Sequence, residues 1–244
     1  MATTLREFID PQIEAVCSAW KILGRFGLVD TIFNHISTVV ADSSGALQMI
    51  MNPSGRLPEE LCPDQVCVFP LREYLPSEAD ELGVNKDGLH LHSAMHSKRM
   101  KPGTIIHTHS PCCIAVGCSE KGLQPLSQTA MEFVSELELV SYGGVFRSQA
   151  LTEQLSGLSL RGGSALLRHH GALVVADDVP EAVYLAYYLE EACRIQVLTL
   201  SQGSSVILPD RTAIESAHLG LKADRENESV RLFEALCRQL ESRK

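Results

Sequence analysis

The sequence predicts an α/β protein in which a mainly antiparallel or mixed sheet is flanked by helices. Three observations carry this expectation. Short β-branched runs alternate with helix-spaced segments, glycine, proline and serine mark most of the junctions, and 45% hydrophobic with 21% charged residues suits a packed core. At 244 residues the chain fits a single domain, 1–244, because α/β chains of roughly 200–250 residues often form one unit.

The elements follow in order. Ile13, Val16, Cys17, Trp20 and Leu23 share one face at helical spacing, and Phe26-Gly27 ends that helix. STVVAD (37–42) and LQMIMN (47–52) read as two strands around a Ser-Ser-Gly turn, NPSG (52–55) as a turn, and VCVFPL (66–71) as a third strand. The stretch 72–86 is polar without a period and reads as loop. Residues 88–101 form a helix with Leu91 and Met95 one turn apart, stopped by Pro102-Gly103. GTIIHTH (103–109) reads as a buried strand, and 110–122 as a helix with Ser110 at its cap and Pro111 at its first position. LELVSY (137–142) is a strand, and SALLRHH (164–170) with ALVVAD (172–177) is a strand pair or one kinked strand. A long helix covers 179–201, and a last amphipathic helix about 225–241, with Val230, Phe233, Leu236, Cys237 and Leu240 on one side.

Charge and composition exclude several classes. A net charge of −9 argues against nucleic-acid binding. No apolar run reaches the roughly 18–20 residues of a membrane span. The start MATTLREFIDPQIEA has no basic segment followed by an apolar one, so a cytoplasmic location is expected. The eight cysteines are scattered without a CxxC pair and read as reduced thiols.

The histidines are unevenly spread: eight of the nine fall between residues 35 and 170. His107 and His109 stand at i and i+2 at the end of a strand, where side chains share a face and two imidazoles can chelate one cation. A third donor must come from elsewhere, and His169-His170-Gly171 ends another strand-like run with a glycine that permits a sharp turn. Three imidazoles with an open position suit a catalytic zinc, and imidazole equally suits iron, nickel or copper. His92 and His96 stand at i and i+4 on the preceding helix, with Asp87 nearby, as candidates for ligand, proton transfer or substrate contact. His35, in FNHIS, lies at a helix-to-strand transition that could face a pocket.

HTHSP, the RHHG segment some 60 residues later, the early FNHIS and the NPSG between them resemble the class II aldolase/adducin family, over about residues 10–205. The stretch GLHLHSAMH…IIHTHSP…GLQPLSQTAM is similar to the adducin-like branch. The resemblance implies a three-layer α/β/α fold around a central, largely antiparallel sheet. It also implies one divalent metal per subunit (zinc or iron, with manganese a further option), held by His107, His109 and His170, and a fourfold-symmetric homotetramer. His169 falls where many relatives have asparagine. Sugar-phosphate aldolases of the family carry a Glu four residues before the position of His92; here that position is Gly88, in the triplet Lys86-Asp87-Gly88. Of the relatives' phosphate site, Ser54 and Gly55 remain in NPSG, the usual asparagine is replaced by His35, and Lys86 and Asp87 replace serines. A carboxylate or keto acid met by Lys86 or Arg56 is therefore as good a candidate as a sugar phosphate. Gln128 and Tyr142 lie where relatives line the cleft.

The expected activity is carbon–carbon bond cleavage, by retro-aldol reaction or decarboxylation, on a small hydroxy- or keto-acid. His92, His96 and Asp87 are the acid/base candidates in place of the missing Glu. His35, Ser54, Gly55, Lys86, Gln128, Tyr142 and His169 are the substrate-contact candidates. One alternative is a non-haem Fe(II) oxygenase acting on an aromatic keto- or hydroxy-acid. Another is a non-catalytic adducin-like assembly module; the three histidines, with no tail past Lys244, favour an enzyme.

Overall fold

A computed structural model describes residues 2–99, 101–143, 153–155, 157–158 and 162–242. Seven strands form one sheet: β1 (His35–Ala41), β2 (Leu47–Met51), β3 (Cys67–Pro70), β4 (Thr104–Thr108), β5 (Leu137–Val140), β6 (Gly163–Leu167) and β7 (Gly171–Ala176). Their order is β3-β2-β1-β4-β7-β6-β5. Every neighbouring pair is antiparallel except β5 and β6, which are parallel. The mainly antiparallel, mixed sheet expected from the sequence is therefore what forms. The helices with described bounds include α1 (Ala2–Arg25), α2 (Ala79–Leu82), α3 (Lys86–Lys98), α4 (Pro111–Gly117), α5 (Gln128–Met131), α6 (Val179–Ser201) and α7 (Arg211–Glu241).

Period-2 alternation sorts the sheet residues into two cores. Ile36, Ile106, Leu166, Ala172 and Val174 pack with Val16 and Trp20 of α1 and with Val183, Leu185 and Leu189 of α6. Ile105, Leu173 and Val175 point the other way, onto Leu91 and Met95 of α3. A third cluster under the outer strands joins Val39, Met49, Met51 and Phe69 to Tyr74 and Leu89. This gives three layers, helix on sheet on helix. His107 keeps the parity of Ile105, and His35 and Ser37 that of Val39, so all three lie on the α3 side.

The register brings several strand ends together. His35 pairs with His107 at the start of β1 and the end of β4, and Thr108 pairs with Ala172 at the start of β7. Gly171 is demanded there by space: a Cβ on it would lie 2.0 Å from the Thr108 carbonyl oxygen. Gly171→Ala must push β7 off β4, and we expect it to cost about 3 kcal/mol of stability, at the upper end of overpacking penalties. A urea denaturation midpoint shared with the wild type would refute this.

Several boundaries differ from the sequence expectation. The stretch 72–86 holds α2 and a short 3₁₀ turn (Pro76–Glu78) instead of plain loop. α3 begins at Lys86 because the Asn85 side chain accepts hydrogen bonds from the backbone of Asp87 and Gly88. α4 stops at Gly117, where the Arg168 guanidinium donates to the carbonyls of Gly117 and Ser119. SALLRHH and ALVVAD are a hairpin, β6–β7, with Arg168, His169 and His170 in its turn. α7 starts at Arg211, well before residue 225. Its first half shows no apolar period, and polar anchors hold it instead: the Asp210 cap, His218 Nδ1–H on the Met131 carbonyl, and Arg225 with the buried Glu132 at 2.6 Å. No helix of the described residues is long and apolar enough to cross a membrane, and none of the eight cysteines is joined in a disulfide among the described residues.

Candidate metal centre

His107, His109 and His170 each offer a ring nitrogen, and the three nitrogens lie within 4.8 Å of one another. Three separate elements deliver them. His107 is the penultimate residue of β4, His109 stands one residue past that strand, and His170 closes the β6–β7 turn immediately before Gly171. The same turn holds His169 in a left-handed conformation (φ 61°), exposed, with its Nδ1 3.2 Å from the Cys118 thiol and its ring 6.2 Å from that of Tyr142.

The hydrogen bonds behind the trio set its tautomers. His107 Nδ1–H donates to the Ala172 carbonyl at 2.9 Å, which leaves the Nε2 lone pair as the donor to a cation. His109 Nδ1 lies 3.3 Å from Asp30 Oδ2, the carboxylate–imidazole pairing that orients metal ligands elsewhere. Asp30 is itself positioned by Asn34, whose amide donates to Asp30 Oδ1 and whose carbonyl oxygen accepts from the backbone of Asp30 and His109. The Nε2 atoms of His109 and His170 are 3.1 Å apart, close to the roughly 3.3 Å between two nitrogens placed tetrahedrally about 2.05 Å from zinc. Burial holds His107 well below the ordinary histidine pKa, and burial together with His109 brings His170 down to about 4, against smaller upward pulls from Asp87 and Asp30. Metal binding needs neutral imidazoles, and these two are neutral at pH 7. The donor set, its tautomers and its spacing fit a divalent ion of the zinc or iron type.

Behind the trio lies a second group. The His35 ring packs between those of His92 and His107, at centroid distances of 4.5 and 4.8 Å. Its Nδ1 meets His92 Nε2 at 2.9 Å; His92 Nδ1 meets Ser37 Oγ at 2.7 Å; and Ser37 Oγ meets His96 Nε2 at 2.8 Å. The i,i+4 spacing of His92 and His96 aims both rings from α3 at the one hydroxyl on β1. All four side chains are at most 3% exposed.

The family profile described as the class II aldolase and adducin N-terminal domain matches residues 14–197. The chain belongs to this family. Among relatives of this class II aldolase/adducin chain, rat (Rattus norvegicus) alpha-adducin is 31% identical over 186 residues, covering 75% of the chain and 25% of the adducin. An aldolase II superfamily protein from Pseudomonas syringae superposes with a TM-score of 0.86 at 26% identity, covering 96% of this chain and 93% of that one. L-Fuculose 1-phosphate aldolase from Glaciozyma antarctica superposes at 0.77 with 19% identity, covering 96% and 91%, which establishes a shared fold.

For the class II aldolase/adducin chain the residues singled out from the sequence separate clearly. His107, His109 and His170 come together, and His35 is a buried ring against them. Asp87, half-buried in the first turn of α3, is near enough to act on His170. His92 meets His35, which packs against His107, and His96 joins the group through the Ser37 hydroxyl. Lys86, Ser54, Gly55 and Arg56 are exposed; the Ser54 backbone N–H bonds the Gly83 carbonyl, which ties the NPSG turn to the approach to α3. Gln128 is exposed on α5, which packs against α6 and α7. Sequence reasoning passed over Asp30 and Ser37. Neither sits in a metal-ligand pattern, and only the alternation SxV after His35 could have put Ser37 on the histidine side of its strand.

Proposed function

We propose that the chain is a metal-dependent carbon–carbon lyase, acting by aldol cleavage or decarboxylation on a small hydroxy- or keto-acid. The observation that carries this reading is the pre-set trio: His107 and His109 have their Nδ1 hydrogens engaged by Ala172 and Asp30, so both turn Nε2 toward the same point as His170. A divalent ion held there supplies Lewis-acid stabilisation of the negative charge that develops on a substrate oxygen as the carbon–carbon bond breaks. Ala172 and Asp30 keep the rings fixed throughout. Asp87, in the first turn of α3 and near enough for its charge to act on His170, is the candidate to take or return a proton at the substrate; decarboxylation needs no base to start it, which suits a chain with glycine at position 88. Lys86, exposed beside Asp87, is the candidate to meet a substrate carboxylate. Zinc and Fe(II) are the candidate ions, and the family membership supports a homotetramer as the working assembly.

Plasma mass spectrometry of tag-free protein, followed by product analysis on a panel of hydroxy- and keto-acids, tests this reading. We expect about one divalent ion per chain and product formation that stops on chelation and returns with the ion. Metal-free protein that binds no added zinc or iron would sink the proposal. The similarity to alpha-adducin favours one competing reading, a non-catalytic assembly module. Such a module would assemble normally and turn over nothing on the same panel. Oxygen consumption with Fe(II) and an aromatic keto acid would move the assignment to an oxygenase.

A further inference from the structure

The row His35–His92–Ser37–His96 has a direction, and its far end reveals it. His96 Nδ1 is buried and has no hydrogen-bond partner among the described residues. A buried N–H without an acceptor is rarer in folded proteins than an acceptor left unmet. The neutral His96 ring therefore carries its hydrogen on Nε2 and donates it to Ser37 Oγ. The hydroxyl's single hydrogen is then free to turn to His92 Nδ1. His92 in turn holds its hydrogen on Nε2 and donates it to His35 Nδ1. One hydrogen remains for His35, and it sits on Nε2. The three rings are at most 3% exposed and the row offers them only a hydroxyl and other imidazoles, with no carboxylate to offset a charge, so the row is one of neutral rings. Among the described residues no hydrogen-bond partner meets His96 Nδ1, so the row as described orients hydrogens from that end toward His35.

Position 88 completes the arrangement. A Cβ built on Gly88 would lie 2.7 Å from His35 Cγ and Cδ2 and 2.8 Å from Met51 Cε. A side chain at 88 and the imidazole at 35 exclude each other, so the glycine and the histidine are one feature. Nδ1 and Nε2 stand on opposite edges of an imidazole. With Nδ1 turned to His92, Nε2 is the ring nitrogen left for a ligand, and the ring stands 4.8 Å from that of His107 and close enough to His109 and His170 to feel their charge.

We propose that His35 is a specificity-determining residue: a neutral N–H donor, locked by the row His96–Ser37–His92, that recognises a negatively charged oxygen of a carboxylate-bearing substrate beside the three-histidine site. His92, Ser37 and His96 are positioning residues that act through His35. The proposal rests on the lyase reading for what the substrate is, and on the hydrogen-bond row alone for what His35 is.

Two measurements test the parts separately. Long-range ¹⁵N–¹H correlation spectra of metal-free protein with labelled histidines read each tautomer directly. We expect the Nε2–H form for His35, His92 and His96, and a mixture at His35 in Ser37→Ala; an Nδ1–H form at His35 in the wild type overturns the inference whatever the metal does. Calorimetric titration of the zinc-loaded protein with oxalate reads recognition. Ser37→Ala is expected to weaken oxalate binding at least about tenfold, as loss of a well-aimed hydrogen bond to a charged group does, with zinc content unchanged and Ser37→Thr restoring it. Equal oxalate affinity in wild type and Ser37→Ala, both carrying zinc, also overturns it. Failure of the wild type to hold zinc sinks the lyase reading, and the spectra still decide the tautomer of His35.

Discussion

His109→Ala is expected to abolish tight divalent-metal binding and any metal-dependent turnover while leaving the fold in place. The side chain of His109 is 19% exposed and lies one residue past β4, so its loss opens little of the core. His107→Ala removes the same function at a greater structural cost. That ring is buried, packs on His35 and donates to the Ala172 carbonyl, so its truncation leaves a cavity among the buried rings and removes a buried hydrogen bond worth about 1 kcal/mol. Comparing the two variants separates ligand loss from unfolding. Zinc at a thousandfold excess over its dissociation constant should stabilise the wild type by about 4 kcal/mol and neither variant at all. Asp30→Asn keeps the three ligands but weakens the acceptor behind His109, so a smaller, roughly 10–100-fold loss of affinity is expected. The order of effects, His109→Ala far above Asp30→Asn, distinguishes a metal centre from a cluster of packed imidazoles. Zinc stabilising His109→Ala as much as the wild type would dismiss the centre.

The sheet and its site were legible in the sequence wherever a residue's neighbours are local. HTH at a strand end, an i,i+4 histidine pair on a helix and a glycine after RHH each announce a direction, and the structure brings the expected trio together. Other features were hidden because their causes lie across the fold. α7 begins fourteen residues earlier than its apolar period because Asp210, His218 and Arg225 tie it to its own N-terminal backbone, to the carbonyl of Met131 and to Glu132, and no periodicity records such anchors. Asp30 enters the site through Asn34, a contact between a loop and the end of a strand 75 residues away. Gly88 read in the sequence as the absence of a Glu. In three dimensions it is the space taken by His35, a residue 53 positions upstream whose own identity was the other departure from the family pattern. The two departures are one packing solution.

The same buried histidines make the metal-free protein sensitive to acid, and the direction follows from which state binds the proton. His35, His92, His96 and His107 are held neutral in the fold by burial, with His96 at about 3 and the others well below 6.5. In the unfolded chain each titrates near 6.5. Below that pH the unfolded state binds protons that the folded state refuses, so stability is full above about pH 7 and falls as the pH drops through 6.5 toward the folded values. Each histidine contributes a slope of about 1.4 kcal/mol per pH unit in that window. With four such groups, a domain of ordinary stability, about 5–15 kcal/mol, should lose most of it between pH 7 and pH 5. Urea unfolding of metal-free protein at pH 7, 6 and 5 measures the slope. Zinc bound at His107 supports the folded state further at neutral pH and is itself displaced by acid, so the holoprotein should fall more steeply from a higher starting point. A metal-free protein equally stable at pH 7 and pH 5 would mean that these rings already accept protons in the fold, and the neutral hydrogen-bonded row from His35 to His96 could not then exist as described.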